Sequence, residues 1–135
     1  KDSPLIAACS LHADKVALFL IQKGANINHP GTHGGTALHW AAWSGRPSVV
    51  KQLLESGAAI NQTCHDFGAT PLFWSVQGMV NDSSGNTLEY QECIQILKIK
   101  GANINLPNAK GKTVLQLLKE HKLDQLAAIM FSHSG

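Results

Sequence analysis

Arginine is almost missing from this chain: Arg46 stands alone among eleven basic residues, which face nine acidic ones for a formal charge of +2. Proteins that clamp phosphates or nucleic acid normally present several guanidinium forks, so nucleic acid is not an expected partner. No uninterrupted apolar run approaches the roughly 20 residues of a membrane span, and no charged start followed by an apolar stretch marks a secretion signal. Only three cysteines occur, Cys9, Cys64 and Cys93, odd in number and scattered. A chain of 135 residues with 44% hydrophobic content can fold without disulfide staples. The expected compartment is therefore reducing and intracellular, cytoplasmic or nuclear. Length leaves room for one ordinary domain and none for a second. The chain opens at Lys1 without a methionine, so a fragment of something longer is expected.

Catalytic signatures are missing as well. There is no nucleophile elbow, no P-loop and no glycine-rich turn between a strand and a helix, and Gly31, Gly34 and Gly35 read as turn glycines. His29, His33, Cys64 and His65 follow neither Cys-x-x-Cys spacing nor the helical spacing of a zinc-binding histidine pair. No enzyme, cofactor or metal is expected from these residues.

What the chain does have is internal repetition. Gly24-Ala25-Asn26-Ile27-Asn28, Gly57-Ala58-Ala59-Ile60-Asn61 and Gly101-Ala102-Asn103-Ile104-Asn105 give one pattern three times. Ahead of them, Ser3-Pro4-Leu5, Thr36-Ala37-Leu38, Thr70-Pro71-Leu72 and Thr113-Val114-Leu115 each open a short apolar stretch. Ser3 to Thr36 is 33 residues, Thr36 to Thr70 is 34, and Thr70 to Thr113 is 43. The third unit therefore carries an insertion of about ten residues.

Each recurring element has a mechanical reason. Ser or Thr accepts hydrogen bonds from the free N–H groups of a helix start, and proline just inside costs no intrahelical bond. The small pairs Ala8-Cys9 and Ala41-Ala42, with Ser75-Val76 as a looser version, suit the close approach of a neighbouring helix. A second helix in each unit should place Val16, Phe19 and Leu20, then Val49, Val50, Leu53 and Leu54, on one apolar face. Gly24, Gly57 and Gly101 end those helices in the left-handed conformation that glycine tolerates. Between units, stretches such as residues 28–35 are rich in Gly, Pro and Asn, and suit a projecting turn or hairpin.

The pattern resembles the ankyrin repeat, best seen in Thr36-Ala37-Leu38-His39-Trp40-Ala41-Ala42-Trp43-Ser44-Gly45 followed by Val49-Val50 and Gly57. The resemblance covers nearly all of residues 3–132. It implies an all-α solenoid of helix-turn-helix pairs with projecting β-turn or hairpin loops. One domain over 1–135 would hold four repeats, at about 3–29, 30–63, 64–107 and 108–135. Each repeat packs on its neighbours, and the terminal ones are expected to be atypical. The last has Lys122 where the second has Gly45, and Leu118-Lys119 in place of the small pair, so it looks like a true cap. The first lacks its leading hairpin and looks cut. The interrupted third repeat is the expected weak point.

The insertion, residues 79–92, falls between the two helices of the third repeat. Its first half reads as loop. Asn86 with Glu89 resembles a capping box, which starts a helix near Thr87 and carries it through Leu97. That arrangement lifts Leu88 and Tyr90 beyond the neighbouring helices. The segment is either a tolerated surface insertion or an accessory contact surface with Tyr90 as anchor.

Trp40 and Trp43 lie three residues apart on one helix, and Trp74 is equivalent to Trp40 one repeat later. In the ankyrin architecture first helices and hairpins line a groove, which would gather His33, Trp43, Phe67 and Gln77. Trp43 has Ser10, Gln77 and Glu120 as equivalents, which marks an exposed position and a binding anchor. Trp40 and Trp74 have Ala7 and Leu117 as equivalents, and either fill core between repeats or join the groove. The resemblance places a turn-stabilising histidine at His39. It also implies a protein-interaction module that binds a protein partner through the concave groove, is a monomer as an isolated domain and forms part of a larger protein. Alternatives are a recruiting or regulatory domain of an enzyme complex, such as a ubiquitin-ligase receptor or bacterial effector, and a methyl-lysine reader. For the last, family cage tryptophans match Trp40 and Trp74, whereas a further one falls on Gly35 and the cage acid on Trp43. Asparagine hydroxylation would map to Asn28, Asn61 or Asn105, each without the acidic residue that favours it.

Overall fold

A computed structural model describes residues 2–131. Residues 132–135, assigned above to the last repeat, lie outside the described residues together with Lys1. Eight helices follow in pairs: α1 (Pro4–Ser10) with α2 (Asp14–Gln22), α3 (Ala37–Trp43) with α4 (Pro47–Glu55), α5 (Pro71–Asn81) with α6 (Thr87–Ile99), and α7 (Val114–Glu120) with α8 (Asp124–Phe131). Only a 3-10 turn at Thr32–Gly34 interrupts the loops, and no strand occurs among the described residues. The fold is the all-α solenoid of helix pairs that the repeats predict.

The helix starts work as their sequences require. Ser3, Thr70 and Thr113 accept from the N–H groups of Ile6, Phe73 and Gln116 at 3.2 to 3.3 Å. At α3 the histidine takes over: His39 Nδ1 accepts from the Thr36 N–H at 3.0 Å. Gly24, Gly57 and Gly101 take φ of +87°, +98° and +102° at the ends of the second helices. The turns inside the first, second and fourth pairs also need a left-handed residue. Gly45 supplies it in the second, but His12 and Lys122 adopt it with side chains, at φ of 61° and 59°.

Packing follows the small pairs. Ala8, Cys9, Ala41, Ala42, Ser75 and Val76 are all buried, which lets first helices approach one another. Val49, Val50 and Leu53 are buried in α4 as predicted, with Leu54 half-buried. In α2 the predicted face holds only at Leu20, which is half-buried against the core. Val16 and Phe19 are 52% and 54% exposed, and Ala17 and Ile21 are buried instead. Val16 is in register with Val49, but among the described residues the first pair packs on the second alone, and the other half of the same face is uncovered there. Arg46 bridges the first two pairs, with Nε and Nη2 donating to the two Asp14 carboxylate oxygens at 2.8 and 3.0 Å.

The insertion lengthens helices rather than interrupting them. α5 has 11 residues where α1, α3 and α7 have 7, and α6 has 13 where α2 and α4 have 9. Residues 79–81, expected as loop, continue α5, and α6 starts at Thr87 as expected but runs to Ile99. Asn86 makes no capping hydrogen bond, so the capping-box reading of Asn86 and Glu89 fails. Leu88 is 77% exposed, as predicted. Tyr90 is not lifted out: it is 5% exposed, because the added turn brings its ring in against Gly45 and Gly78, where a Cβ would stand 3.1 and 3.0 Å away.

Candidate functional site

The loop tips supply one wall of a groove, and they are tied to one another. Asp66 N–H donates to the His33 carbonyl at 3.1 Å, and Ala109 N–H to the Phe67 carbonyl at 2.8 Å, so consecutive tips share a backbone bond. His33 Nδ1 bonds the Asp66 carboxylate at 2.8 Å, and His65 Nδ1 bonds its other oxygen at 3.3 Å. These contacts hold the Asp66 carboxyl below the usual carboxylate range. Cys64 is buried under this turn and accepts from Trp74 Nε1 at 3.3 Å. No group of three His, Cys, Asp or Glu side chains gathers to hold a metal ion among the described residues.

His39 joins the groove floor to its wall. Its Nε2 bonds the Ala69 carbonyl at 3.0 Å, across the junction between the second and third repeats. With Nδ1 accepting from Thr36, the ring is neutral and carries its proton on Nε2. Burial pushes the imidazole down to about 4, since a charge there would lose its water. The turn-stabilising role implied for this histidine matches these bonds.

Over this frame lies a cavity of about 410 Å³ lined by His33, Trp40, Trp43, Phe67, Ala69, Phe73, Trp74, Gln77 and Asn108. The four predicted groove residues His33, Trp43, Phe67 and Gln77 therefore meet in one place, joined by Trp40 and Trp74, for which core and groove were both open. Tyr90 does not join them. Trp74 is the hub, with its ring 5.0 Å from Trp40, 6.2 Å from Trp43, 6.4 Å from Phe67 and 4.9 Å from His39, each pair edge to face. His33 lies over Phe67 at 5.2 Å. Trp74 is buried and Trp40 half-buried, so both serve as core between repeats and as cavity lining. Trp43, expected to be exposed, is half-buried, because α5 and the Trp74 ring cover part of it.

Phe73, Ala69 and Asn108 line the cavity without having been foreseen. Phe73 shares its register with Ile6, His39 and Gln116, and such a mixed set gives no direction from sequence alone. Gly35 has a steric reason to be glycine. A Cβ there would come within 2.7 Å of Trp74 and 3.0 Å of Trp40 Nε1. The space of the further cage tryptophan is already filled by these two indoles.

Comparison with known proteins agrees with the geometry. The family described as Ankyrin repeats (3 copies) matches residues 1–64 and 32–108. The chain is 30% identical over 132 residues to the ankyrin repeat protein YahD of Escherichia coli (strain K12), covering 96% of this chain and 62% of that protein. It is 33% identical over 113 residues to Ankyrin repeat and SOCS box protein 6 of Mus musculus, covering 82% and 25%. It is 27% identical over 99 residues to Palmitoyltransferase Hip14 of Drosophila melanogaster, covering 73% and 14%. The chain thus spans 14% to 62% of the length of these relatives. With the paired helices, the bonded tips and the family match in place, the chain belongs to the ankyrin repeat family and is a protein–protein interaction module.

Proposed function

We propose that the chain grips its protein partner in the aromatic groove between α3, α5 and the loop tips, through His33, Trp40, Trp43, Phe67, Trp74 and Gln77. The observation that carries this reading is the convergence of six aromatic or imidazole side chains on one apolar cavity beside the two polar ends Gln77 and Asn108. Clustered aromatic side chains give large contact area at small entropic cost, and Phe67 is 48% exposed at the rim. The chain acts as an intracellular targeting or recruiting part of a larger protein, a monomer by itself, with catalysis located elsewhere and no nucleic-acid ligand. Its arginine is engaged with Asp14, which supports the last point. A recruiting role beside an enzyme fits relatives that carry a SOCS box or a palmitoyltransferase in their names. Affinity capture with the unaltered chain and Trp43→Ala side by side tests the groove. Capture should fall while helical content stays, and unchanged capture by an intact fold sinks the reading.

The same rings favour a second reading, a groove that takes a methylated lysine by cation–π attraction. A lysine-containing peptide, unmodified and trimethylated, separates the two. The methyl-lysine reading needs at least tenfold preference for the modified form, and equal binding discards it.

A further inference from the structure

The hydroxyl of Tyr90 donates to the Trp43 carbonyl at 2.9 Å, across 47 residues of chain. That carbonyl is one of the four at the end of a helix that lack an intrahelical donor. In α3 the other three are bonded locally, Trp40 by Ser44 N–H, Ala41 by Arg46 N–H and Ala42 by Gly45 N–H. The fourth is satisfied by a side chain from the next repeat. Two glycines make this possible: Gly45 and Gly78 leave room for the phenol ring, and a Cβ at Gly78 would also collide with the Trp43 carbonyl. The ring is thereby wedged where α3 ends and α5 passes.

The register shows why the insertion matters. Tyr90 stands eleven residues before Gly101, and Arg46 eleven before Gly57. Both reach back to the preceding repeat, Arg46 to Asp14 and Tyr90 to Trp43. Arg46 does so as the residue that precedes α4, whereas Tyr90 sits in the first turn of α6, the turn that the insertion adds. Glycine and tyrosine thus fix the backbone from which the Trp43 indole enters the cavity, 6.2 Å from Trp74.

We propose that Tyr90 is a positioning residue: the insertion holds it against the end of α3, and through the Trp43 carbonyl it sets one wall of the aromatic cavity. The inserted turn then serves the groove from behind rather than offering a second contact surface. The binding consequence rests on the groove reading above, while the positioning itself does not.

Tyr90→Phe keeps the ring and removes the donor. The chain labelled with 5-fluorotryptophan gives resonances for its three tryptophans, and Trp43→Phe assigns one of them. In Tyr90→Phe the Trp43 resonance should move most. The affinity for the amphiphilic aromatic dye 8-anilino-1-naphthalenesulfonate should fall about two- to tenfold, the span of one hydrogen bond. An unmoved Trp43 resonance, or unchanged dye affinity where Trp43→Ala abolishes dye binding, overturns the proposal. If Trp43→Ala leaves dye binding unchanged, the groove reading fails and the Trp43 resonance alone decides the role of Tyr90. Should Tyr90→Phe not fold, the unaltered chain carries the test, because Tyr90 is its single tyrosine. Its carbon-13 Cζ resonance shifts as the dye fills the cavity if the two are linked, and a signal that stays still refutes the link.

Discussion

The junction between the second and third repeats and the junction between the third and fourth use the same frame and fill it differently. In the first, His39 crosses to Ala69, Trp74 packs on Trp40 and Trp43, and Tyr90 seals the helix end. In the second, Phe73 stands in the place of His39, Trp74 in that of Trp40, Gln77 in that of Trp43 and Leu117 in that of Trp74, while the fourth repeat itself carries Gln116 and Glu120 at the registers of His39 and Trp43. Gln116 keeps the local half of the histidine's work, accepting from Thr113 N–H at 2.8 Å, but it is exposed. The helix frame is set by caps, glycines and small pairs, and tolerates either filling. The aromatic cavity lies on the junction that is also the more heavily packed.

The sharpest way to break this comparison is to truncate the hub of each junction. Trp74→Ala should cost about 3–5 kcal/mol, the range for a buried tryptophan, since it empties the centre of four ring contacts and leaves Cys64 without its indole donor. Leu117→Ala should cost about 2–3 kcal/mol, toward the lower part of its range, because a smaller side chain, itself without a ring, is lost. Urea unfolding of both variants measures the difference. Equal costs would mean that the packing is spread evenly and the comparison is wrong.

Acid should separate the junctions next. The folded His39 titrates near 4 and an unfolded histidine near about 6.5, so between those values the unfolded chain binds the extra proton. Stability is complete above about pH 6.5 and falls by about 3 kcal/mol as the pH drops to about 4. Carboxylates such as Asp66, held below the usual range, contribute losses at still lower pH. His39→Gln copies the fourth repeat. It should cost about 1–3 kcal/mol at neutral pH, for the lost bond to Ala69, and flatten the curve between pH 6.5 and 4. Denaturation midpoints at pH 7 and 4.5 test both points, and an unchanged slope in the variant removes His39 as its source.

Much of this contrast is legible in the sequence, and the rest is not for identifiable reasons. Ser3, Thr70 and Thr113 announce the helix starts, and the glycine pattern announces the helix ends, because capping is local chemistry. His33, Trp43, Phe67 and Gln77 are placed at the cavity by register and by the side-by-side loop tips, since repeats stack in phase, whereas register leaves Trp40 and Trp74 open between core and lining. Tyr90 was misplaced because nothing local records that Gly45 and Gly78, 45 and 12 residues away in sequence, leave a slot for its ring. Val16 and Phe19 look like core by periodicity, but burial on that face depends on a neighbouring repeat, and among the described residues the first pair packs on the second alone. Asn86 and Glu89 match a capping pattern, yet Asn86 makes no capping bond, so the spacing alone does not make the motif.

The smallest expected effect lies at the register position where the junctions differ most. Glu120, the equivalent of Trp43, pairs with Lys112 Nζ at 2.8 Å, and the two side chains are 51% and 36% exposed. Solvent screens such a pair and ordering two long side chains offsets its attraction, so Glu120→Ala should change stability by less than about 0.5 kcal/mol. The change should shrink further as salt rises, because the charges face water. Trp43 at the same position has a half-buried indole in contact with Trp74, and its backbone carbonyl is held by Tyr90. Chemical denaturation of Glu120→Ala beside Trp43→Ala, at low and high salt, compares the two directly. A loss at Glu120 that equals the loss at Trp43 would show that this position contributes the same energy whatever residue occupies it, and that the groove owes nothing special to its tryptophan.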